Sequence, residues 1–161
     1  MSTEIRIATE DQKDYVHNLI PYYIYDMSEY MGWGPNRKGQ YGGCDEFIES
    51  WGLPGHATYL IYESDVVAGF AGVHPYPLEP ERTEIQEFFV LRKFKRQGIG
   101  RRAANLLFDR YPGSWLVRVI DENESAIHFW ANVIDDDTGS AYTQTSEEYV
   151  CEHSGTWPMQ Y

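Results

Sequence analysis

The sequence predicts a single α/β domain over residues 1–161, with a mixed, mostly antiparallel central sheet flanked by helices. Segments of period two and period 3.6 alternate along the chain in the order β-α-α-β-β-β-α-β-α-β-β. Three of these strands follow one another directly, which favours antiparallel hairpins, and only the later strand–helix–strand unit asks for a parallel pair. A chain of 161 residues with 42% apolar content is enough for one core, and no repeat or linker divides it.

Ile5 and Ile7 alternate with polar neighbours, so EIRIA reads as a first strand. Thr9 caps a helix whose first turn, Glu10-Asp11, suits the helix dipole; it carries Tyr15, Val16, Leu19 and Ile20 and meets Pro21. The segment PYYIYDMSEYMGWGPNRKGQYGG is aromatic and glycine-rich and reads as broken helix and surface loop. CDEFIESW is a short helix. ATYLIYES and VVAGFAGVHPY are strands joined by a tight Ser64-Asp65 hairpin. A strand from Glu84 to Leu91 leads to a helix that ends near Tyr111, before Pro112-Gly113. SWLVRVI is a strand, NESAIHFWANV a helix, and the tail from Ser140 to Tyr161 fits two late strands.

From Thr83 to Arg102 the chain reads TEIQEFFVLRKFKRQGIGRR: an apolar strand, a basic run, then Gly98-Ile99-Gly100 at a helix start. The first N–H groups of a helix have no intrahelical acceptor and sit at the positive end of its dipole, so this turn suits an anion. Six of the thirteen Lys and Arg residues lie between Arg92 and Arg102 with no Asp or Glu among them, while the rest of the chain holds 7 basic against 25 acidic residues. A solvated basic face is the plainer meaning of a charge run. Glycines inside the run favour a local polyanionic ligand instead.

A net charge of −12 argues against non-specific nucleic-acid binding and suits a cationic partner. No apolar stretch approaches the ~20 residues that span a bilayer, and the polar, acidic MSTEIRIATEDQ is unlike a secretory leader. Cys44 and Cys151 lie far apart and His17, His56, His74 and His153 are isolated, so no metal is expected and a cytoplasmic setting is. Gly98-x-Gly100-x-x-Ala103 formally fits the dinucleotide fingerprint, with Asp121 about twenty residues on. Antiparallel strands and the basic run precede it, however, which that fold does not allow. A Walker loop is excluded because no Gly-Lys-Ser/Thr follows.

Lys95-Arg96-Gln97-Gly98-Ile99-Gly100 follows a strand-end Val90, eight residues before Gly98, and Asn123-Glu124-Ser125-Ala126-Ile127-His128-Phe129-Trp130 forms a second element. On these motifs and the element order, the stretch from Thr83 to Ile134 resembles the GNAT family of N-acetyltransferases. That family's hallmarks are Gln/Arg-x-x-Gly-x-Gly/Ala and Asn-x-x-Ala/Ser-x-x-Phe-Tyr. Lys95 departs mildly from the first, and Trp130 replaces the Tyr of the second.

The resemblance implies the acyl-CoA N-acyltransferase fold, with acetyl-CoA as acetyl donor attacked directly by a bound amine. It implies that backbone N–H groups of Gln97, Gly98, Ile99, Gly100, Arg101 and Arg102 cradle the pyrophosphate, with charge added by Lys95, Arg96, Arg101 and Arg102. It implies a splay between the strand ending at Val90 and SWLVRVI. Pantetheine would pair along Phe89, Val90 and Leu91, and the Val90 N–H would stabilise the oxyanion. Asn123, Phe129 and Trp130 would contact the cofactor. Glu84 and Glu87, six and three residues before Val90, are the candidate bases. Strand parity puts Glu84 with Gln86 and Phe88 on one face and Glu87 on the other, unless a bulge, which the family has here, swaps them. Tyr25, Asp26, Glu29 and Trp33, among Tyr22, Tyr23 and Tyr30, are candidates for the acceptor site, where aromatic faces and carboxylates suit an amine cation. With Trp130 in the Tyr position, the acid for the leaving thiolate stays open; His128 would point ~200° away around the helix. The expected acceptor is a small cationic amine: a polyamine, an aminoglycoside-like compound or an amino-acid derivative. A protein Lys or N-terminal amine is the alternative acceptor, and a non-catalytic acyl-CoA sensor the alternative class. A homodimer is compatible with the sequence but not derivable from it.

Overall fold

The computed structural model describes residues 2–139 and 141–144 in full, and the backbone of 146–151 and 155–160. His153 and the side chain of Cys151 lie outside the described residues. In chain order the elements are β1 (Thr3–Ile7), α1 (Lys13–Met31), α2 (Asp45–Glu49), β2 (Ala57–Glu63), β3 (Val66–Tyr76), β4 (Glu79–Val90) and α3 (Ile99–Arg110). There follow β5 (Trp115–Val117), β6 (Val119–Ile120), α4 (Glu124–Thr138), β7 (Ser146–Cys151) and β8 (Gly155–Gln160). A five-stranded sheet runs β1-β2-β3-β4-β5, antiparallel except for β4–β5, and a three-stranded sheet runs β6-β8-β7. This is the mixed, mostly antiparallel architecture that the sequence predicts.

Helices cover both faces of the larger sheet, which is why β2 and β3 read as nearly continuous apolar runs. On one face α3 buries Ile99, Ala103, Ala104, Leu107 and Phe108, and α4 adds Trp130 and Val133. On the other, α1 buries Val16, Ile20 and Ile24 beside Phe47 of α2, Leu60, Phe70 and Phe89. The hairpin between β2 and β3 turns at Ser64 (φ 50°) and Asp65 (φ 65°), the left-handed pair that a two-residue connection requires.

Three expectations need correction. The first helix does not break at Pro21 but continues to Met31, where Gly32 at φ 70° ends it. Val16, Ile20 and Ile24 form one stripe at four-residue spacing. Keeping Ile24 on the sheet offsets an interior proline that costs about 3 kcal/mol. Second, β4 starts at Glu79 instead of Glu84. Glu79 pairs with Tyr76 of β3, and Pro80 to Arg82 fall in the register irregularity before Thr83, where β5 has not yet joined and a missing donor is tolerated. Third, SWLVRVI is not one strand: it breaks at Arg118 into β5 and β6, which belong to different sheets. No helix among the described residues is long and apolar enough to cross a membrane.

Candidate active site

β4 and β5 run parallel for three rungs, from Thr83↔Trp115 to Ile85↔Val117, and then part. β4 continues along β3 to Val90, whereas the chain beyond Val117 passes through Arg118 into the other sheet. The β5-side edge of Gln86 to Val90 is therefore left without a strand partner among the described residues. Leu91 N–H donates to Ala68 C=O of β3 at 2.8 Å. Successive N–H groups along a strand point to opposite edges, so the Val90 N–H faces into this wedge. Gly69 lets β3 approach β4 here: an added Cβ would lie 1.9 Å from the Phe89 carbonyl oxygen.

β4 leads through one 3₁₀ turn (Arg92–Phe94) into the glycine turn. Gly98 caps α3 at φ 76°, and Arg96 also takes a left-handed backbone at φ 61°. The first intrahelical bond runs from Arg102 N–H to Gly98 C=O at 3.1 Å, so the N–H groups of Ile99, Gly100 and Arg101 project from the helix end. The Gln97 amide ties the turn together by donating to Lys93 C=O at 2.9 Å. A Cβ on Gly100 would meet the Phe129 ring at 3.1 Å and Val90 Cγ2 at 3.5 Å. The end of β4, the helix start and α4 thus converge where only a bare backbone fits.

The basic collar is partly spoken for. Asp26 of α1 receives Arg92 Nε at 2.8 Å and also Lys95. Burial acts to raise the Asp26 pKa, but hydrogen bonds from Lys95 and Arg92 override it and hold the carboxyl below its ordinary value. Arg101 pairs with Asp136, and Arg102 donates to Thr3 Oγ1 at 2.7 Å and lies 3.7 Å from Glu63. Arg96 has no ion-pair partner among the described residues. Asn123 accepts from Ala126 N–H at 3.1 Å, so its side-chain oxygen serves as the N-cap of α4. Phe129 and Trp130 pack edge-on at 4.9 Å, and Trp130, 8% exposed, stands against Phe88 at 5.0 Å as part of the core.

The two carboxylates of β4 occupy different environments. Gly72 pairs with Glu87 and Val73 with Ile85, so Gln86 is skipped and a bulge lies between the two glutamates. Ile85 and Phe88 pack with the α3/α4 core and Phe89 with the α1/α2 core. The bulge turns Glu87 onto the side that faces α1 and α2, together with Glu84. Glu84 is 1% exposed and engages His74 Nε2 at 2.8 Å through one oxygen and Arg118 Nε through the other. Glu87 is half-buried beside Tyr23 and Cys44, whose hydroxyl and thiol donate to it. Burial pushes the Glu87 carboxyl up to about 7 against the lowering effect of those hydrogen bonds, and the charges of Glu84 and Glu46 add to the rise. Burial also pushes the Tyr23 and Cys44 groups up, so both stay protonated as donors.

Of the acceptor candidates, Asp26 is tied to the collar, and Tyr25 is exposed, edge-on to Tyr41 at 5.1 Å with Arg92 5.9 Å from its ring centre. Glu29 is exposed, and Trp33 packs against the α1/α2 core. Sequence reasoning missed Cys44, His74 and Arg118 as neighbours of the two glutamates and read Tyr23 only as one aromatic among many. Fixing the β3–β4 register would have exposed His74, since it stands directly opposite Glu84.

The profile of the acetyltransferase (GNAT) family matches residues 21–133. The chain belongs to the GNAT family. Solved GNAT-fold structures agree in architecture. An acetyltransferase from Thermus thermophilus superposes with a TM-score of 0.66 at 11% identity, over 100% of this chain and 97% of that one. An aminoglycoside acetyltransferase from an uncultured soil metagenomic sample gives 0.63 at 12% identity, over 92% and 95%. A spermidine N-acetyltransferase from Vibrio cholerae, solved with CoA and spermine, gives 0.62 at 14% identity, over 99% and 94%. No curated protein matches the chain in sequence. At these identities the neighbours establish the fold. Family membership adds the general GNAT chemistry, acyl transfer from an acyl-CoA to an amine.

Proposed function

We propose that this GNAT domain transfers the acetyl group of acetyl-CoA to a primary amine of a small cationic molecule, in a ternary complex without a covalent enzyme intermediate. One observation carries the reading: the wedge of β4, the glycine turn of α3 and the ionisable Glu87 adjoin on one strand–turn–helix unit. The residues fit the cofactor. The open edge at Phe89, Val90 and Leu91 suits the amide-bearing pantetheine arm. The free N–H groups of Ile99 to Arg101, the left-handed Gly98 and the bare Gly100 suit a pyrophosphate. When bound, acetyl-CoA supplies an activated thioester. The chain's part is to hold it, to present the Val90 N–H where oxyanion charge develops, and to take a proton from the amine.

An alkylammonium with a pKa near ~10 must lose a proton before it attacks. Glu87, at about 7, is partly ionised near neutrality and is the base in this reading. Glu84 has both oxygens engaged and is not. A cleft of about 610 Å³ lies on the same side of the sheet, lined by Glu46, Glu49, His56 and Gln86, and Glu46 already acts on Glu87 through space. Its carboxylates and the net charge of −12 favour a cationic acceptor.

The test is a thiol-release assay with acetyl-CoA across a panel of polyamines, aminoglycosides, amino-acid amines and Lys peptides, preceded by thermal-shift measurement with CoA. Stabilisation by CoA and turnover of a small polyamine or aminoglycoside supports the reading. Peptide turnover alone would move it to a protein acetyltransferase, CoA binding with no turnover to a sensor, and no CoA response would sink it.

A further inference from the structure

We infer that His74, Glu84 and Arg118 form a side-chain clasp that sets where β4 and β5 separate, which makes Glu84 and Arg118 positioning residues for the cofactor wedge. The clasp lies at the apex of the splay. His74 on β3 pairs in register with Glu84 on β4, and Glu84 pairs in register with Leu116 on β5. One rung later, at Ile85↔Val117, strand pairing stops. Arg118 is the next residue, the one at which the chain leaves the larger sheet for the smaller. It reaches back to Glu84 and also stands 5.4 Å from the Tyr76 ring centre. One buried carboxylate therefore links β3 and β4 to the residue that follows β5, one rung before the strands diverge.

The placement has a physical reason. A carboxylate that is 1% exposed is tolerated only when its charge is met and its oxygens are hydrogen-bonded, and here a guanidinium supplies the charge at one oxygen and an imidazole nitrogen bonds the other. The Arg118–Glu84 pair ties the start of β6 to β4 across the point where the strands part. The wedge that faces Val90 opens from that fixed point. Without the clasp the sheet would still be packed by Ile85, Leu116 and Val117, but the angle at which the strands part would be set by packing alone.

The inference rests on the reading of the wedge as a CoA site, and the test separates the two. The double variant Glu84→Gln with Arg118→Gln removes both charges together, so no unpaired buried charge remains to unfold the protein. Two readouts are taken beside wild type: CoA dissociation by calorimetry, and hydrogen exchange of Leu116 and Val117 amides in the ligand-free protein. The clasp predicts a variant that keeps wild-type circular dichroism, exchanges the β5 amides at least about tenfold faster and binds CoA about tenfold more weakly. Turnover should retain the pH inflection of the wild type, because the base is elsewhere. Unchanged exchange in the ligand-free protein overturns the clasp whatever the ligand does. Faster exchange in a protein whose wild type ignores CoA overturns the CoA reading and its link to the clasp. Loss of the pH inflection in the single Glu84→Gln variant overturns the positioning role, since Glu84 would then be the base.

Discussion

Glu87→Gln separates two consequences of burying one carboxyl at the bulge. Gln keeps the size and still accepts from Tyr23 and Cys44, but it cannot take a proton. If Glu87 is the base, the variant should turn over the best amine about 10² to 10⁴ times more slowly, the span usual for general-base loss. The wild-type kcat/KM should rise through an inflection near 7, where Glu87 ionises, and that inflection should be absent in the variant.

The same group makes an independent prediction about stability. Burial raises Glu87 from an ordinary 4.5 to about 7, so between those values the folded protein holds a proton that the unfolded chain has lost. Its stabilising contribution is fully present below 4.5 and disappears as the pH climbs through 7. At 1.36 kcal/mol per pH unit the rise corresponds to about 3 kcal/mol. Urea melts of wild type and variant at about pH 4.5 and about pH 8.5 measure this: the stability difference should shift by about 3 kcal/mol in favour of Gln at the higher pH. Parallel stabilities at the two pH values would refute the burial argument. A variant with wild-type rate and profile would refute the assignment of the base, even if the stability prediction held.

Gly100→Val should weaken CoA binding more than tenfold in calorimetry, because a side chain there meets the Phe129 ring and Val90 and obstructs the helix end; the overpacking itself should cost about 1 to 3 kcal/mol in denaturant melts. Arg96→Ala should raise the CoA Kd severalfold and flatten its salt dependence, whereas Arg101→Ala should change it little, because Arg101 is paired with Asp136. Asp26→Asn should release Arg92 and Lys95, tighten CoA binding at low salt and lose that gain at about 0.5 M salt; because both cations are substantially exposed, the stability loss should stay near or below about 1 kcal/mol.

The helical and strand periodicities made most of the fold legible. Ser64-Asp65 announced its hairpin, and the run from Ile99 to Phe108 announced a helix with one buried stripe. Pro21 misled, because a local penalty was weighed without the packing of Ile24, a contact between residues far apart in sequence. The glycine turn was readable because Gly98 and Gly100 are needed for backbone conformation and close approach, properties that residue type alone encodes. The charges around it were less readable. Asp26 looked like an acceptor-site carboxylate because aromatic neighbours surround it in sequence, whereas in space α1 delivers it to Arg92 and Lys95.

The least legible feature is the placement of the two carboxylates of β4. Glu84 and Glu87 are alike by composition, spacing and strand, and simple alternation puts them on opposite faces. A single skipped residue, Gln86, brings them to one side and gives them unequal surroundings. Glu84 falls opposite His74 and within reach of Arg118, so its charge is compensated and its oxygens are occupied. Glu87 falls beside neutral donors, Tyr23 and Cys44, with no cation among the described residues to offset its burial, so its proton affinity rises towards neutrality. Bulges follow from the register of the whole hairpin and from the Gly72 position that admits Phe47 against the sheet, an added Cβ there lying 2.5 Å from that ring. Register is a property of paired strands, and no local pattern within TEIQEFFV carries it. The difference in surroundings between the two carboxylates is accordingly written in β3 and α2 as much as in β4.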